Sequence, residues 1–177
     1  MTLTYKLELE DWLAFNRFYR QTSPVVQKQM RASKILYTLM FMSLMFAALV
    51  GFYKRIDAVG VISTLIFGLI IYVLIGQSGD KNSDKSARQI YESGQNKTLR
   101  APATLTIDPN CLATVSALSE SKLKWPLVEK IATTADYIFI YISANNALII
   151  PKRAFSSEDQ RQQCIELLQR YHNIVYT

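Results

Sequence analysis

The side chains of this sequence best suited to bind a ligand are basic. Five of them in the second half of the chain are predicted to form a patch for a lipid headgroup or a protein partner: Lys122, Lys124, Lys130, Lys152 and Arg153. Clustered ammonium and guanidinium groups attract phosphate, and near a membrane they attract anionic headgroups. Lys122 and Lys124 also fit the solvated face of an ordinary strand, and this simpler interpretation is preferred.

The sequence contains none of the common catalytic or metal-binding motifs. His172 is the single histidine, and no GxSxG, HExxH or glycine-rich phosphate loop occurs. Cys111 and Cys164 form no CxxC pair, and a structural zinc site needs about four ligands. We therefore expect a protein that is not an enzyme, with no catalytic residues, no metal site and no cofactor. In the cytoplasm both cysteines would be free thiols.

Two uncharged segments dominate the first half of the chain. Residues 35–53 and 58–76 each contain 19 residues without a charged side chain, which corresponds to about 28 Å of helix. The hydrocarbon core of a bilayer is about 30 Å thick. Neither segment has the polar face that a helix at the surface of a soluble core presents. The sequence therefore predicts a transmembrane hairpin over residues 35–76.

Basic residues are unevenly distributed around these two spans. Eight of them flank the outer ends of the spans: Arg17, Arg20, Lys28, Arg31, Lys34, Lys81, Lys85 and Arg88. The connecting loop holds two, Lys54 and Arg55. Because cytoplasmic flanks of membrane helices are enriched in Lys and Arg, both termini are predicted to be cytoplasmic. The net charge of +6 is thus assigned to contact with lipid, and no nucleic-acid partner is expected.

Small residues predict where the two spans touch. Ala47 and Gly51 are four residues apart in the first span, and Gly60, Thr64 and Gly68 share one face of the second. Small side chains let helix backbones approach closely, and the same pattern permits a homodimer. Neither span contains a charged residue, which favours an anchor over a transporter.

Residues 1–34 predict a strand followed by an amphipathic helix. Apolar and polar residues alternate from Leu3 to Leu9, as in a half-buried strand, which must join a sheet elsewhere in the chain. Residues 10–21 place aromatic side chains on one helix face, which would lie either in the membrane interface or on the soluble domain. Pro24 ends this helix, and a second helix then leads into the first span.

The segments after the spans predict a linker and a β-rich domain. Residues 77–98 are polar and are interpreted as a linker with a short helix. Residues 99–177 contain six short strands and a final helix, which starts at Ser156 or Ser157 and carries its apolar face to Val175. The wholly apolar strand at residues 137–142 should be covered on both faces. With the N-terminal strand, seven strands and a capping helix predict a pleckstrin-homology-like barrel or sandwich in an α+β membrane protein.

One stretch of this region resembles a known family. Residues 125–155 read WPLVEKIATTADYIFIYISANNALIIPKRAF and resemble the C-terminal domain of the YcxB-like family of bacterial membrane proteins. The tryptophan before a strand, the YIFIYIS strand and the IIPKRAF run carry the resemblance. It implies a multi-pass protein of the bacterial cytoplasmic membrane with a pleckstrin-homology-like domain, and it implies no activity.

Three functions are compatible with these features. The preferred hypothesis is a membrane-anchored interaction or regulatory module with an unknown protein partner, since such domains bind through edge strands and loops. The second is binding of anionic lipid headgroups by the basic patch. The third is a small membrane immunity or regulatory protein that neutralises a toxin or an enzyme, a role for which the sequence contains no motif.

Overall fold

The computed structural model describes residues 1–53, 58–93, 100–171 and 175–176. The chain forms two compact units, a sheet unit of Met1–Asn16 and Ala87–Thr177 and a helical unit of Arg17–Ser86. The predicted loop at residues 54–57, residues 94–98 of the predicted linker, and His172 lie outside the described residues.

Except for the last strand, β8, the helices and strands occur in the order that the sequence predicts. The helices are α1 (Leu9–Thr22), α2 (Pro24–Tyr53), α3 (Ala58–Glu92) and α4 (Glu158–Tyr171). The strands are β1 (Thr2–Tyr5), β2 (Ala103–Ile107), β3 (Cys111–Ser116), β4 (Glu120–Lys124), β5 (Lys130–Thr133), β6 (Tyr137–Ser143), β7 (Asn146–Pro151) and β8 (Val175–Tyr176).

The strands form two four-stranded sheets, with orders β1-β2-β3-β4 and β7-β6-β5-β8. All pairs are antiparallel except β5 with β8. In the described part of the chain no strand pairs across the two sheets, so the closed barrel predicted as one alternative is wrong. The 3-10 turn Trp125–Leu127 separates β4 from β5. Its Pro126 has no N–H to donate to a ladder, which favours a break between sheets.

The N-terminal strand joins the first sheet, as predicted. β1 pairs with β2, and Leu3 lies opposite Leu105 with both side chains buried. The strand ends at Tyr5, so its predicted continuation to Leu9 is wrong. The backbone N–H of Glu8 instead donates a 2.7 Å hydrogen bond to Asp11. A carboxylate in the first helical turn that accepts this N–H stabilises a helix start, and α1 begins at Leu9 for this reason.

The last helix closes the core, as predicted. Cys164 and Leu168 on α4 are fully buried in the same apolar cluster as Leu105 and Ile131. The backbone N–H of Gln160 donates to Ser157 Oγ at 3.2 Å, which caps the helix start. The predicted extension of the helical face to Val175 is wrong, because α4 ends at Tyr171 and Val175 pairs with Ile131 in β8.

Helix α1 covers the outer face of the second sheet. Phe15 is buried, and its ring lies 5.6 Å from that of Phe139 and 5.8 Å from that of Tyr141. On the other face of β6, Ile138 and Ile140 belong to the core between the sheets. Both faces of this strand are therefore covered, as predicted. The aromatic face of α1 is predicted to lie either in the membrane interface or on the β-rich domain. Phe15 packs on the β-rich domain.

Helix α3 is longer than the sequence predicts. It continues to Glu92, so most of the segment interpreted as a linker is helical. Two apolar residues one helical turn apart, Ala87 and Tyr91, are buried in the sheet unit. The Tyr91 hydroxyl donates to the Leu7 carbonyl at 2.9 Å, and Trp12 Nε1 donates to the Ala87 carbonyl at 2.9 Å. These contacts stabilise the last turns of α3, although the polar composition of this segment predicts a linker.

The two long helices of the helical unit meet at a small residue. Thr64 and Gly68 on α3 are buried, and a Cβ added at Gly68 would lie 2.6 Å from Met42 Sδ on α2. This confirms the predicted contact face of the second span. The small residues of the first span do not mark it, since Ala47 is exposed and no atom lies within 4 Å of a Cβ added at Gly51.

Candidate anion-binding and partner surfaces

The five basic residues predicted as a patch are distributed over three parts of the sheet unit. Lys122 and Lys124 lie on β4, an edge strand of the first sheet, and Lys130 begins β5 in the second. Lys152 and Arg153 lie in the 3-10 turn Lys152–Ala154 after β7. Lys122 and Lys124 are exposed, as expected for a solvated strand face. The headgroup role of the five residues stays a prediction.

Three of the four lysines contact other groups within the sheet unit. Lys122 Nζ lies 3.3 Å from Glu120 Oε1, and Lys152 Nζ lies 3.1 Å from Glu158 Oε2. Lys130 Nζ is 4.3 Å from the centre of the Tyr141 ring, a cation–π distance. Exposed ion pairs contribute little stability, so Lys122 and Lys152 remain able to exchange these partners for a ligand.

Arg153 binds a carboxylate that is inaccessible to solvent. Its Nη1 donates to Asp11 Oδ1 at 2.7 Å and its Nη2 donates to Asp11 Oδ2, so the pair is bidentate. Arg153 Nη2 also donates to the Lys6 carbonyl at 3.1 Å. Asp11 is fully buried, whereas the Arg153 side chain is 43 % exposed. The pair fastens the start of α1 to the turn after β7.

The electrostatic effects of this pair extend to neighbouring groups. The hydrogen bond to Asp11 raises the pKa of Arg153 above its usual value. Burial raises the pKa of Tyr137, and the Asp11 carboxylate raises it further. In the sequence, Asp11 is recognisable only as an acidic residue at the start of α1. A separation of 142 residues from Arg153 leaves no local pattern that could have predicted the pair.

A cavity of about 410 Å³ opens at the start of α4. Its walls are formed by Lys152, Arg153, Phe155, Ser157, Glu158 and Arg161. Three cations and one carboxylate give this lining a net charge of +2. Arg161 donates from Nη1 to Glu158 Oε1 and from Nη2 to the Thr134 carbonyl, both at 2.7 Å. The hydrogen bond from Arg161 lowers the pKa of Glu158.

This arrangement could hold a small anion or an acidic side chain, because cations line a concave surface at a helix N-terminus. Of the predicted patch, Lys152 and Arg153 line it. Sequence reasoning missed Arg161, although its position three residues after Glu158 is a spacing typical of helical ion pairs.

The comparisons with known proteins agree with the resemblance found in the sequence. Residues 107–168 match the family model described as YcxB-like protein. We refer to residues 107–168 as the YcxB-like domain, after the family model that they match. The match runs from the end of β2 to Leu168 on α4, and leaves out β1 and the three helices that precede β2. No curated protein and no solved structure matches the chain.

The YcxB-like domain exposes apolar side chains around one hairpin. Val115 on β3 and Leu118 in the turn before β4 are 48 % and 59 % exposed. The turn is well ordered by hydrogen bonds: the Ser116 N–H donates to the Ser119 carbonyl at 2.8 Å and the Ser119 N–H to Ser116 Oγ at 3.1 Å. In the described part of the chain β4 pairs with β3 alone. An exposed strand edge beside apolar side chains is a surface on which another chain can add a strand.

Proposed function

We propose that this protein is a membrane-anchored, non-enzymatic interaction module. Helices α2 and α3 cross the bilayer as a hairpin and hold the YcxB-like domain at the cytoplasmic surface of a bacterial membrane. The domain is pleckstrin-homology-like, with two sheets and a helix that completes the core, and it binds a protein partner through its edges and turns.

One observation carries the anchor: the apolar surfaces of the two long helices are not covered by protein. α2 and α3 contain stretches with mean hydropathy of 1.8 and 2.6, of which 6 % and 11 % of the residues are buried. A core helix of a soluble protein buries most of such a stretch. Exposure of this apolar surface to water is unfavourable by about 25 cal/mol of free energy per Å². Burial of the same surface in the hydrocarbon of a bilayer removes this penalty.

The connectivity of the sheet unit supports two crossings rather than one. This unit combines Met1–Asn16, which precede α2, with Ala87–Thr177, which begin in the last turns of α3, and β1 pairs with β2 across about 100 residues of chain. Both segments must therefore lie on the same side of a bilayer that the helices cross. An even number of spans is the simplest solution. The basic flanks at Arg31 and Lys34 favour the cytoplasmic side.

An interaction role is supported by the surface of the domain. The β4 edge and the exposed side chains of Val115, Leu118 and Leu127 provide backbone and apolar groups to a partner. Strand addition gives affinity through main-chain hydrogen bonds and specificity through side-chain contacts. Membrane tethering would raise the effective concentration of the domain for a partner at the same surface.

Membrane fractionation tests the anchor. Membranes containing the full-length protein would be washed first with high salt and then with alkaline carbonate, and the protein would be followed in pellet and supernatant. We expect it to remain in the pellet through both washes and to be released by detergent. Release by salt would indicate peripheral binding through the positive charge. A monodisperse protein in the soluble fraction would contradict the proposal.

A further inference from the structure

A second basic cavity lies within the helical unit, beside the first turns of α2. It has a volume of about 530 Å³ and is lined by Arg17, Arg20, Gln21, Gln27, Met30, Arg31, Lys34 and Asp84. Among the described lining residues, four cations and one carboxylate give a net charge of +3. The volume lies within the range of small-ligand sites.

Asp84 holds two of these cations in place. Its Oδ2 accepts hydrogen bonds from Arg17 Nε at 2.9 Å and Nη2 at 2.6 Å, and its Oδ1 accepts one from Arg20 Nη2 at 2.8 Å. The hydrogen bond from Arg17, and after it that from Arg20, lowers the pKa of Asp84. The carboxylate is therefore ionised at neutral pH and keeps both guanidinium groups oriented at the cavity.

The other two cations of the cavity, Arg31 and Lys34, lie three residues apart on one face of α2. Neither has an ion-pair partner among the residues that the structure describes. Among the described residues of the lining, one carboxylate cannot neutralise four converging cations, and bringing like charges together without a counter-ion is unfavourable. The cavity is thus electrostatically complementary to an anion.

The position of the cavity along α2 identifies the source of that anion. Lys34 directly precedes Ile35, the first residue of the uncharged segment, and Arg31 lies about 6 Å from Ile35 along the helix axis. The headgroup region adds about 5–7 Å to each side of the hydrocarbon core. Ile35 and Leu36, which follow Lys34 directly, are exposed and offer an apolar surface to the acyl chains of a lipid whose headgroup lies in the cavity.

We propose that this cavity binds the phosphate group of an anionic phospholipid, with Arg31 and Lys34 as direct ligands and with Arg17 and Arg20 oriented by Asp84. The proposal rests on the membrane anchor proposed above. It goes beyond that anchor by assigning a lipid-selective site to the helical unit, separate from the predicted patch on the YcxB-like domain.

The test uses two double variants of the full-length protein that change net charge equally. Arg31→Gln/Lys34→Gln removes two cavity cations. Lys28→Gln/Lys85→Gln removes two exposed cations on α2 and α3 that do not line the cavity. Each protein in neutral detergent would be titrated with phosphatidylglycerol, and bound lipid would be counted by native mass spectrometry. We expect about tenfold weaker binding for the cavity variant and little change for the control.

Other outcomes overturn the proposal in distinct ways. Equal losses in both variants would mean that total charge attracts the lipid. Equal binding of phosphatidylcholine would remove selectivity for an anion, and displacement of the lipid by millimolar inorganic phosphate would indicate a site for a free anion. Carbonate extraction of the same variants distinguishes failure of the lipid site from failure of the membrane anchor. A protein that stays in the membrane pellet but binds lipids without selectivity would overturn the site and leave the anchor intact.

Discussion

Arg153 covers the carboxylate of Asp11, which lies 142 residues earlier in the chain and is inaccessible to solvent. The pair joins the N-terminal helix to the last turn of the second sheet, so that the segment before the hairpin is bound to the domain that follows it. Removing one partner of such a pair leaves the other buried and uncompensated, which costs more than the pair itself contributes.

Substitution of Arg153 should destabilise the sheet unit. Because Arg153 is partly exposed, we expect Arg153→Gln to lower the free energy of unfolding by about 2 kcal/mol. Adding Asp11→Asn should recover part of this loss through coupling. Both tryptophans, Trp12 and Trp125, lie in the sheet unit, so urea unfolding of the full-length protein in detergent can be followed by their fluorescence. Lys152→Gln, which removes an exposed ion pair, should change stability by under about 0.5 kcal/mol.

Removal of the Phe15 ring should lower the stability of the sheet unit, because this ring packs α1 onto β6. The ring packs on Phe139 and Tyr141, and truncation of a buried aromatic side chain costs about 3–5 kcal/mol. We expect a loss in this range for Phe15→Ala in the same urea assay. Leu118→Ala is the matched control, since that side chain is largely exposed. A loss for Phe15→Ala no larger than the control would mean that α1 does not pack on β6 in solution.

Gly68 should be required for close packing of α2 and α3. A methyl group at this position would lie 2.6 Å from Met42 Sδ, so Gly68→Ala should lower the thermal stability of the detergent-solubilised protein. Met42→Ala in the same chain should restore part of it by removing the clash. Gly51→Ala is the control, because its added methyl group meets no atom within 4 Å. Equal effects at Gly51 and Gly68 would contradict this contact.

The two thiols should differ in reactivity. Burial raises the pKa of Cys164 to about 12 from the usual 9.0, while Cys111 is half-buried. A raised pKa means that the neutral thiol is favoured in the fold. Its stabilising contribution is therefore complete below pH 9 and is lost between pH 9 and 12. At pH 8 we expect maleimide to modify Cys111 first.

The matched test of this difference uses Cys111→Ser, in which Cys164 should react only on addition of denaturant. Modification of Cys164 in the native protein at the rate measured for Cys111 would show that α4 does not seal the core.

Features with local periodicity could be predicted from the sequence. Strands β2 to β7 and the start of α2 at Pro24 follow from alternation and proline chemistry. Tertiary partners could not be predicted in this way. The partner of Asp11 is more than a hundred residues away, and the helical state of residues 77–92 depends on burial of Ala87 and Tyr91 in another part of the chain. The break between the two sheets lies at the turn that contains Pro126. The effect of this turn on strand pairing is seen only in the structure.

The candidate sites illustrate the same limit. Lys152 and Arg153 could be identified as basic residues on a turn, but the cavity they share with Arg161 depends on where α4 begins. Arg31 and Lys34 were recognisable as flanking charges of a span. Their convergence with Arg17 and Arg20 depends on Asp84 on α3, which lies more than sixty residues from either arginine and carries no sequence signal of that role.

The most direct test of the membrane hairpin is the reactivity of individually introduced cysteines toward a membrane-impermeant maleimide, with the buried Cys164 as the unreactive background. Leu69 on α3 is 66 % exposed in the absence of lipid, and Lys28 and Lys85 are exposed beyond the apolar stretches. Each would be replaced by Cys in the Cys111→Ser protein within native membranes. If lipid covers the hairpin, Leu69→Cys stays unmodified, while Lys28→Cys and Lys85→Cys react from the same side. Modification of Leu69→Cys as fast as Lys28→Cys would show that water, not hydrocarbon, surrounds α3.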